Sequence, residues 1–338
     1  MARPEDQAIG TPPLTLALAG DTMLGRGVAE RLLASPRLET IFSDDVCLVL
    51  AGADLVVLNL ECCISQRGER RPDPGKPFFF RAPPAAAELL ADSGVDCVNL
   101  ANNHALDYGF DALGDTRALL AQAGVRAVGA GGEFEQARQF TVLEARGFRM
   151  AVIGVTDHPE GWAAGVDRPG VAWADLRSGV PDWLSSLIAR AAAEADAVLV
   201  TPHWGPNMTT RPPDYVRVAA QQLSDAGATL VAGHSAHVFH GVAERIIFDM
   251  GDFVDDYAVY PYLRNDLGLL FLVTLDSHGP APMVPIRLEA VPLAIDHCRT
   301  RLADDVEWEW IRDRFIDACA ELGTGVQVQG RRLVVDWN

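Results

Sequence analysis

Short apolar runs that end in polar residues recur along the first two thirds of the chain, with helical patterns between many of them. The runs that predict strands cover residues 14–21, 54–61, 96–104, 150–157, 197–205 and 229–234. The segments with the apolar spacing of helices cover residues 83–93, 109–123, 181–195 and 214–226. This alternation predicts an α/β fold in which the helices connect successive strands.

From about residue 240 the pattern changes to closely spaced strands, at residues 245–250, 267–276 and 283–291. These predict an added antiparallel or mixed sheet, so two sheets flanked by helices would accommodate the chain. A helix is predicted at residues 304–322 and a hairpin with a Gln329-Gly330 turn at residues 326–337. Because no repeat or linker interrupts the sequence, we expect one domain over residues 1–338, with the segment from about 304 to 338 packed on it.

Charge and composition exclude several classes of protein. The chain has 28 Lys and Arg residues against 46 Asp and Glu residues, a formal net charge of −18, so neither nucleic acid nor a membrane is an expected partner. The apolar segment 14–20 follows Glu5 and Asp6, which favours a buried strand over a signal peptide. The six cysteines form no CxxC pair, and we expect reduced thiols in a cytoplasmic protein.

Polar residues collect at the ends of five predicted strands, where α/β proteins bind their ligands. A single residue of this kind is more often a helix cap or a hydrogen-bonded core residue. Five such ends together favour a catalytic centre, because carboxylates, amides and imidazoles are both metal ligands and proton-transfer groups. The ends are Gly20-Asp21, Asn59-Leu60-Glu61, Asn102-Asn103-His104 with Asp107 beyond it, His203-Trp204-Gly205, and Gly233-His234-Ser235-Ala236-His237.

The order of these five motifs resembles the CapA family, the capsule and poly-γ-glutamate synthesis proteins, which have a calcineurin-like metallophosphatase fold. Residues 76–81, 251–253 and 322–324 also look like CapA-type sequence, so the resemblance covers most of the chain. It implies a sandwich of two β-sheets flanked by helices, with the motif residues meeting at one rim.

The resemblance also implies a set of metal ligands. Glu61 would stand where a bridging carboxylate stands, with Asn103, His203 and His234 around one metal and with Asp21 and His237 around another. His104 would be the acid above them. Metallophosphatases usually begin with Asp-x-His, whereas this chain has Asp21-Thr22-Met23. Because a thioether cannot replace an imidazole for a hard dication, we expect at most one divalent metal ion, or none required, and no organic cofactor.

Four functions remain as alternatives. The retained acids and imidazoles, the incomplete metal pair and the expected lack of a membrane anchor favour epimerisation of an amino-acid residue in a peptide. This activity is associated with CapA-like proteins, including soluble members that act on lasso-peptide precursors. A metal-dependent phosphoesterase or other hydrolase is the second possibility. Capsule or poly-γ-glutamate assembly and a non-catalytic binding protein are the others, and a chain of charge −18 is a poor partner for a polyanion.

Epimerisation of a peptide needs a base on one face of the α-carbon and an acid on the other. The predicted proton-transfer residues are Asp21, Glu61, His104 and His203. The predicted substrate contacts are Lys76, Arg81, Asn102 and Trp204, among which Arg81 suits a peptide carboxylate. Adjacent strand residues point to opposite faces, so at most one of the thiols of Cys62 and Cys63 could enter the site. His297 is expected to be an ordinary surface residue.

Overall fold

Two β-sheets face each other across an apolar core, and helices cover their outer faces. The computed structural model describes residues 13–72, 75–276 and 283–337. Glu5 and Asp6, considered above, lie outside these ranges, as do residues 73–74.

The helices in the described ranges are α1 (Arg26–Ala34), α2 (Asp44–Ala51), α3 (Ala85–Asp92), α4 (Gly109–Gln122), α5 (Phe134–Ala137), α6 (Asp182–Glu194), α7 (Asp214–Asp225) and α8 (Asp305–Ala320). The strands there are β1 (Leu14–Thr22), β2 (Leu55–Leu60), β3 (Cys63–Ile64), β4 (Arg81–Ala82), β5 (Cys97–Asn99), β6 (Arg126–Val128), β7 (Ala130–Gly131), β8 (Thr141–Ala145), β9 (Phe148–Thr156), β10 (Gly170–Val171), β11 (Ala197–His203), β12 (Leu230–Ala232), β13 (Val242–Ala243), β14 (Ile246–Ile247), β15 (Asp252–Val254), β16 (Leu267–Asp276), β17 (Val284–Ile295), β18 (Thr300–Leu302), β19 (Gln327–Gln329) and β20 (Arg332–Asp336).

The larger sheet has the strand order β19-β20-β17-β16-β1-β2-β5-β6, with β15 paired to β1 and β18 paired to β17. The second sheet has the order β13-β14-β12-β11-β9-β8. Strands β1, β2, β5 and β6 run parallel to one another, as do β9, β11 and β12. Their carboxyl ends therefore lie at the same edge of each sheet.

Alternation along strand β1 shows how the two apolar layers form. Leu16 and Leu18 pack into the core between the sheets, whereas Ala17 and Ala19 pack against the helices on the outer face. This follows from the two-residue period of a strand, and the small alanines leave room for helix packing. Helices α6 and α7 cover the outer face of the second sheet in the same way. Helix α8 places Phe315 in the core between the sheets.

The predicted α/β class with two sheets flanked by helices is confirmed. The predicted strand at residues 96–104 is shorter, because the chain leaves the sheet after Asn99 and its following polar residues form turns. Helices α1 and α2 and strand β8 were missed by the pattern analysis. The C-terminal turn lies one residue later than predicted, at Gly330-Arg331. In the described ranges, no helix combines the length and apolar character that a membrane crossing requires.

Candidate active site

The ends of strands from both sheets meet at one rim of the sandwich. In the larger sheet, Asp21 is in register with Asn59 on one side and with Asp252 on the other. In the second sheet, His203 and His234 form a β-bridge. These pairings bring the predicted motif residues together although they are far apart in sequence.

Gly20 explains how strand β1 can approach its neighbour so closely. A Cβ atom at this position would lie 1.9 Å from the carbonyl oxygen of Gly251. The backbone N–H of Asp21 donates to that same carbonyl at 2.8 Å. The glycine before Asp21 is therefore required by the contact that places Asp21 beside Asp252.

The buried carboxylate of Asp21 lies at the centre of the rim. Its Oδ1 accepts a hydrogen bond from Asn59 Nδ2 at 2.7 Å, and its Oδ2 accepts one from the Ser235 N–H at 3.3 Å. The Nδ1 atoms of His234 and His237 each lie 3.4 Å from one of its oxygens. Burial alone would raise the pKa of Asp21, but the two imidazoles outweigh it and lower the pKa well below its ordinary value. Asp21 is a carboxylate at neutral pH.

Glu61 and His203 form a second buried pair, with Oε1 of Glu61 3.0 Å from Nε2 of His203. Burial, with the charge of Asp21, raises the pKa of Glu61 well above its ordinary value. Burial, with the nearby His158, lowers the pKa of His203. Both shifts favour the uncharged forms, so the pair shares a proton as a neutral unit. Oε2 of Glu61 has no hydrogen-bond partner among the described residues.

His104 is held by a carboxylate and an aromatic ring. Its Nδ1 lies 2.7 Å from Oδ2 of Asp107, and its ring stacks on Phe80 with centroids 4.1 Å apart. Asp107 also forms an ion pair with Lys76, at 2.6 Å. Burial outweighs the carboxylate and lowers the pKa of His104 to about 4. His104 is therefore neutral at pH 7, and with Nδ1–H donating to Asp107 its Nε2 is the basic nitrogen.

His237 shows the opposite shift. Its Nδ1 lies 2.9 Å from Oδ1 of Asp252, and its ring meets the edge of Tyr257 at 5.4 Å. Burial alone would lower the pKa of His237, but the acidic side chains of Asp252, Glu61 and Asp21 outweigh it and raise the pKa well above its ordinary value. Without a metal ion, His237 is the cation that balances the buried acids.

The donor set fits one divalent cation. One ligand atom each from Asp21, Glu61 and His237 lies within 4.8 Å of the other two, and all three residues are buried. Oxygen and nitrogen donors of this kind suit a hard-to-borderline dication. The unpartnered Oε2 of Glu61 and Oδ2 of Asp252 are further buried acceptors that a cation would satisfy.

The triad contains three of the metal ligands that the resemblance implies, and the Nδ1 atoms of His203 and His234 are buried without a hydrogen-bond partner among the described residues. Nε2 of His203 is used by Glu61, and Nε2 of His234 lies 2.7 Å from the hydroxyl of Thr201. Asn103 also has a buried Oδ1 without a partner among the described residues. The Sδ of Met23 accepts a hydrogen bond from the Gly25 N–H at 3.0 Å, so this buried residue supports backbone instead of a metal.

A cavity of about 490 Å³ opens above the rim, and His104 and His237 both line it. Its other walls include aromatic rings and one ion pair. Two aromatic rings lie between the imidazoles of His104 and His237. Phe80 stacks on His104 and lies 5.7 Å from Tyr257, which contacts His237. The exposed His297 also lines the cavity, so it is a surface residue located at the mouth of the site.

Two of the predicted substrate contacts, Trp204 and Asn102, are buried. Trp204 is 2% exposed, packs in the outer core of the second sheet, and donates its Nε1–H to the carbonyl of Phe248 at 2.9 Å. Asn102 is fully buried, and its amide groups bond to Asn59 and to the backbone of His104. Both side chains satisfy buried neighbours, and their role as substrate contacts stays a prediction.

The other two predicted substrate contacts lie elsewhere. Lys76 turns inward and forms an ion pair with Asp107, the carboxylate that also contacts His104. Arg81 points outward and lies over the ring of Tyr108 at 4.1 Å. The thiols of Cys62 and Cys63 are buried, and burial raises the pKa of both, to about 12 for Cys63. All six cysteines are free.

Several residues of the site were not assigned a role from sequence. Asp252 belongs to the Gly251-Asp252-Phe253 motif, and its position at a strand start was the available signal. Asp107 follows His104 by three residues, a spacing that could have indicated the pair. Nothing in the sequence pointed to Tyr257.

Fold and site together define an α/β sandwich protein whose buried carboxylates and imidazoles meet beneath an aromatic cavity. Residues 15–257 match the family described as Bacterial capsule synthesis protein PGA_cap, and the chain belongs to this family.

The relatives point in the same direction. A probable polyglutamine synthesis accessory protein of Mycobacterium tuberculosis is 31% identical, over 90% of this chain and 91% of that protein. The PGA biosynthesis protein CapA of Bacillus subtilis is 29% identical, over 82% of this chain and 75% of that protein. The capsule biosynthesis protein CapA of Bacillus anthracis is 31% identical, over 83% of this chain and 67% of that protein.

Proposed function

We propose that this chain takes part in the synthesis of a capsule-type amino-acid polymer or a related peptide, and that its site carries out acid–base chemistry on that peptide. The family and the names of the relatives, which concern polyglutamine, PGA and capsule synthesis, support the first half. They favour polymer assembly, which the sequence analysis had placed below epimerisation.

One observation carries the second half of the proposal. His104 and His237 line the same cavity, yet they have different carboxylate partners, Asp107 for the first and Asp252 for the second. The pKa of His104 is lowered and that of His237 is raised, so His104 is neutral and His237 is positively charged. A neutral base and a charged acid on one cavity are the two groups that a proton transfer needs.

The specific reaction that we propose is inversion of an amino-acid α-carbon in the peptide. The Nε2 of His104 would take the α-proton, and the electron pair of the C–H bond would move into the adjacent carbonyl as an enolate. The imidazolium of His237 would return a proton to the other face of the carbon. One proton leaves the substrate and one arrives, so the product has the same composition with inverted configuration.

A divalent ion held by Asp21, Glu61 and His237 would supply Lewis acidity toward a substrate oxygen. His237 would then be a neutral ligand, and His104 would remain the base on the cavity wall. This donor set supports a hydrolase as the second candidate function.

The test is solvent exchange in deuterium oxide. We would incubate the protein with oligo-L-glutamate and with linear peptides that together contain every proteinogenic amino acid, then hydrolyse the products and separate the enantiomers. A D-residue that has gained one deuteron is the expected result. His104→Gln should abolish this exchange while leaving the melting temperature close to that of the unmodified protein.

His240→Gln is the matched control, because it makes the same imidazole-to-amide change at a buried position that does not line the cavity. It should retain exchange. Shortened peptides without deuterium at any α-carbon would show that the protein hydrolyses peptides and does not epimerise them. A chain without activity on any of these peptides would contradict the acid–base half of the proposal.

A further inference from the structure

A second depression, of about 350 Å³, adjoins the site cavity on the protein surface. Arg26 and Phe78 line both, so the two depressions share a wall. We call the second one the arginine groove, and its walls are formed mainly by Arg26, Arg70, Phe78, Phe79, Arg81 and Tyr108. Among the described residues that line it, none is acidic.

Two of these arginines are held in place without a carboxylate. The guanidinium of Arg81 lies 4.1 Å from the ring centre of Tyr108, and its Nη1 donates to the carbonyl of Gly68 at 3.3 Å. Arg70 donates its Nε–H to the Tyr108 hydroxyl at 3.4 Å and lies 5.6 Å from the ring of Phe79. In the part of the chain that the structure describes, neither arginine forms an ion pair, whereas Arg26 pairs with Asp256.

This local positive charge is unusual for the molecule. The chain carries a net charge of −18, which repels anions at long range. A guanidinium that stacks on a ring has already lost much of its rotational freedom, and its planar fork binds a carboxylate with two parallel hydrogen bonds. The groove therefore offers a positioned anion site on an acidic protein.

The contact between the groove and the cavity indicates what kind of anion it would take. A peptide whose reacting residue lies between His104 and His237 must leave the cavity through one of its walls. At the wall formed by Arg26 and Phe78, its neighbouring residues would cross the groove. Acidic side chains at those positions would meet the guanidinium groups of Arg70 and Arg81.

We propose that the arginine groove binds an acidic segment of the peptide substrate, with Arg70 and Arg81 pairing with its carboxylates. The identity of the bound segment as substrate rests on the function proposed above. The binding itself does not require turnover, so it is measured separately.

The test is fluorescence anisotropy with labelled penta-L-glutamate at low salt. Each of Arg70→Ala and Arg81→Ala should weaken binding about tenfold, and the double variant more, because a charge-assisted hydrogen bond is lost at each position. Binding should weaken as salt is added, and penta-L-glutamine should bind poorly. Arg81→Lys keeps the positive charge but lacks the planar guanidinium. Its affinity should lie between those of Arg81→Ala and the unmodified protein.

Arg37→Ala is the matched control, since Arg37 is an exposed arginine 3.6 Å from Glu39 and outside the groove. It should bind penta-L-glutamate normally. Unchanged affinity in the double variant would overturn the proposal. So would equal binding of penta-L-glutamine, or displacement of the peptide by tripolyphosphate at much lower concentration, which would mark a phosphate site.

Discussion

The same residue type has two opposite protonation states within this site. Burial alone would lower the pKa of both His104 and His237, yet the pKa of His104 is lowered to about 4 and that of His237 is raised well above its ordinary value. The difference lies in the neighbours, because the one acid beside His104, Asp107, also pairs with Lys76, whereas three acidic side chains, those of Asp252, Glu61 and Asp21, surround His237. At the residue scale, the local charge balance decides which imidazole is the base and which is the acid.

His240 allows the effect of burial alone to be measured. Its Nε2–H donates to the Thr209 carbonyl at 2.8 Å, and its Nδ1 is buried without a partner among the described residues. Burial, helped by the charge of Arg314, lowers the pKa of His240 from 6.5 to about 4. The unfolded chain therefore takes up a proton between these values and the folded chain does not, so stability that is complete above pH 6.5 is lost as the pH falls.

We expect His240 to reduce the free energy of unfolding by about 3 kcal/mol between pH 6.5 and 4. Urea unfolding at a series of pH values measures this change. His240→Gln should show a shallower decline over the same interval, because its amide does not titrate. Parallel curves for the two proteins would contradict the assignment.

The ends of the strands set the positions of the site residues. Close packing of the strand backbones there leaves little room for substitutions. Strand β1 presents Asp21 between Asn59 of β2 and Asp252 of β15. The close approach of β1 to Gly251 holds Asp21 and Asp252 in register. At the scale of elements, the site therefore depends on a contact between two glycines that carry no chemistry themselves.

Gly20→Ala tests this contact. Its Cβ would lie 1.9 Å from the Gly251 carbonyl oxygen, so the two strands must separate. We expect a loss of about 3 kcal/mol in the free energy of unfolding, together with loss of activity. Gly114→Ala, in helix α4 and with open space around the new Cβ, should instead stabilise the protein by about 0.5 to 1 kcal/mol. Equal effects of the two substitutions in denaturant titrations would refute the argument.

The whole molecule combines a negative net charge with a buried cluster of acids. Burial raises the pKa of Asp249 and Asp252, yet Asp21 stays ionised beside them. Such an interior needs a counter-charge, because an unpaired carboxylate away from water is costly. Either the His237 imidazolium or one divalent ion bound to the triad supplies it.

Equilibrium dialysis against Mn²⁺, followed by elemental analysis, measures this counter-charge. We expect at most one ion per chain, since the described donors form one triad, and the inversion proposed above uses the His237 imidazolium in the absence of an ion. Asp21→Asn should lose the ion, and Asp255→Asn, a buried acid outside the triad, should retain it. Two ions per chain would restore a binuclear centre, and no ion in the unmodified protein would leave His237 as the counter-charge.

The sequence determined the α/β class, the main strands and the motif residues of the rim. Apolar alternation and helical spacing are local properties, so strand β16 was predicted with the bounds that the structure has. The grouping of Asp21, Glu61 and His237 followed from a general rule, because parallel strands bring their carboxyl ends to one edge.

Only the tertiary structure decided how those residues divide their roles. Trp204 and His104 occupy similar positions after strands, yet one fills a core and the other lines a cavity. The partner of His237 is Asp252, fifteen residues along the chain, and the arginine groove joins residues of a loop, a strand and a helix. Exposure and protonation depend on which side chains meet in space, and a linear pattern does not contain those distances.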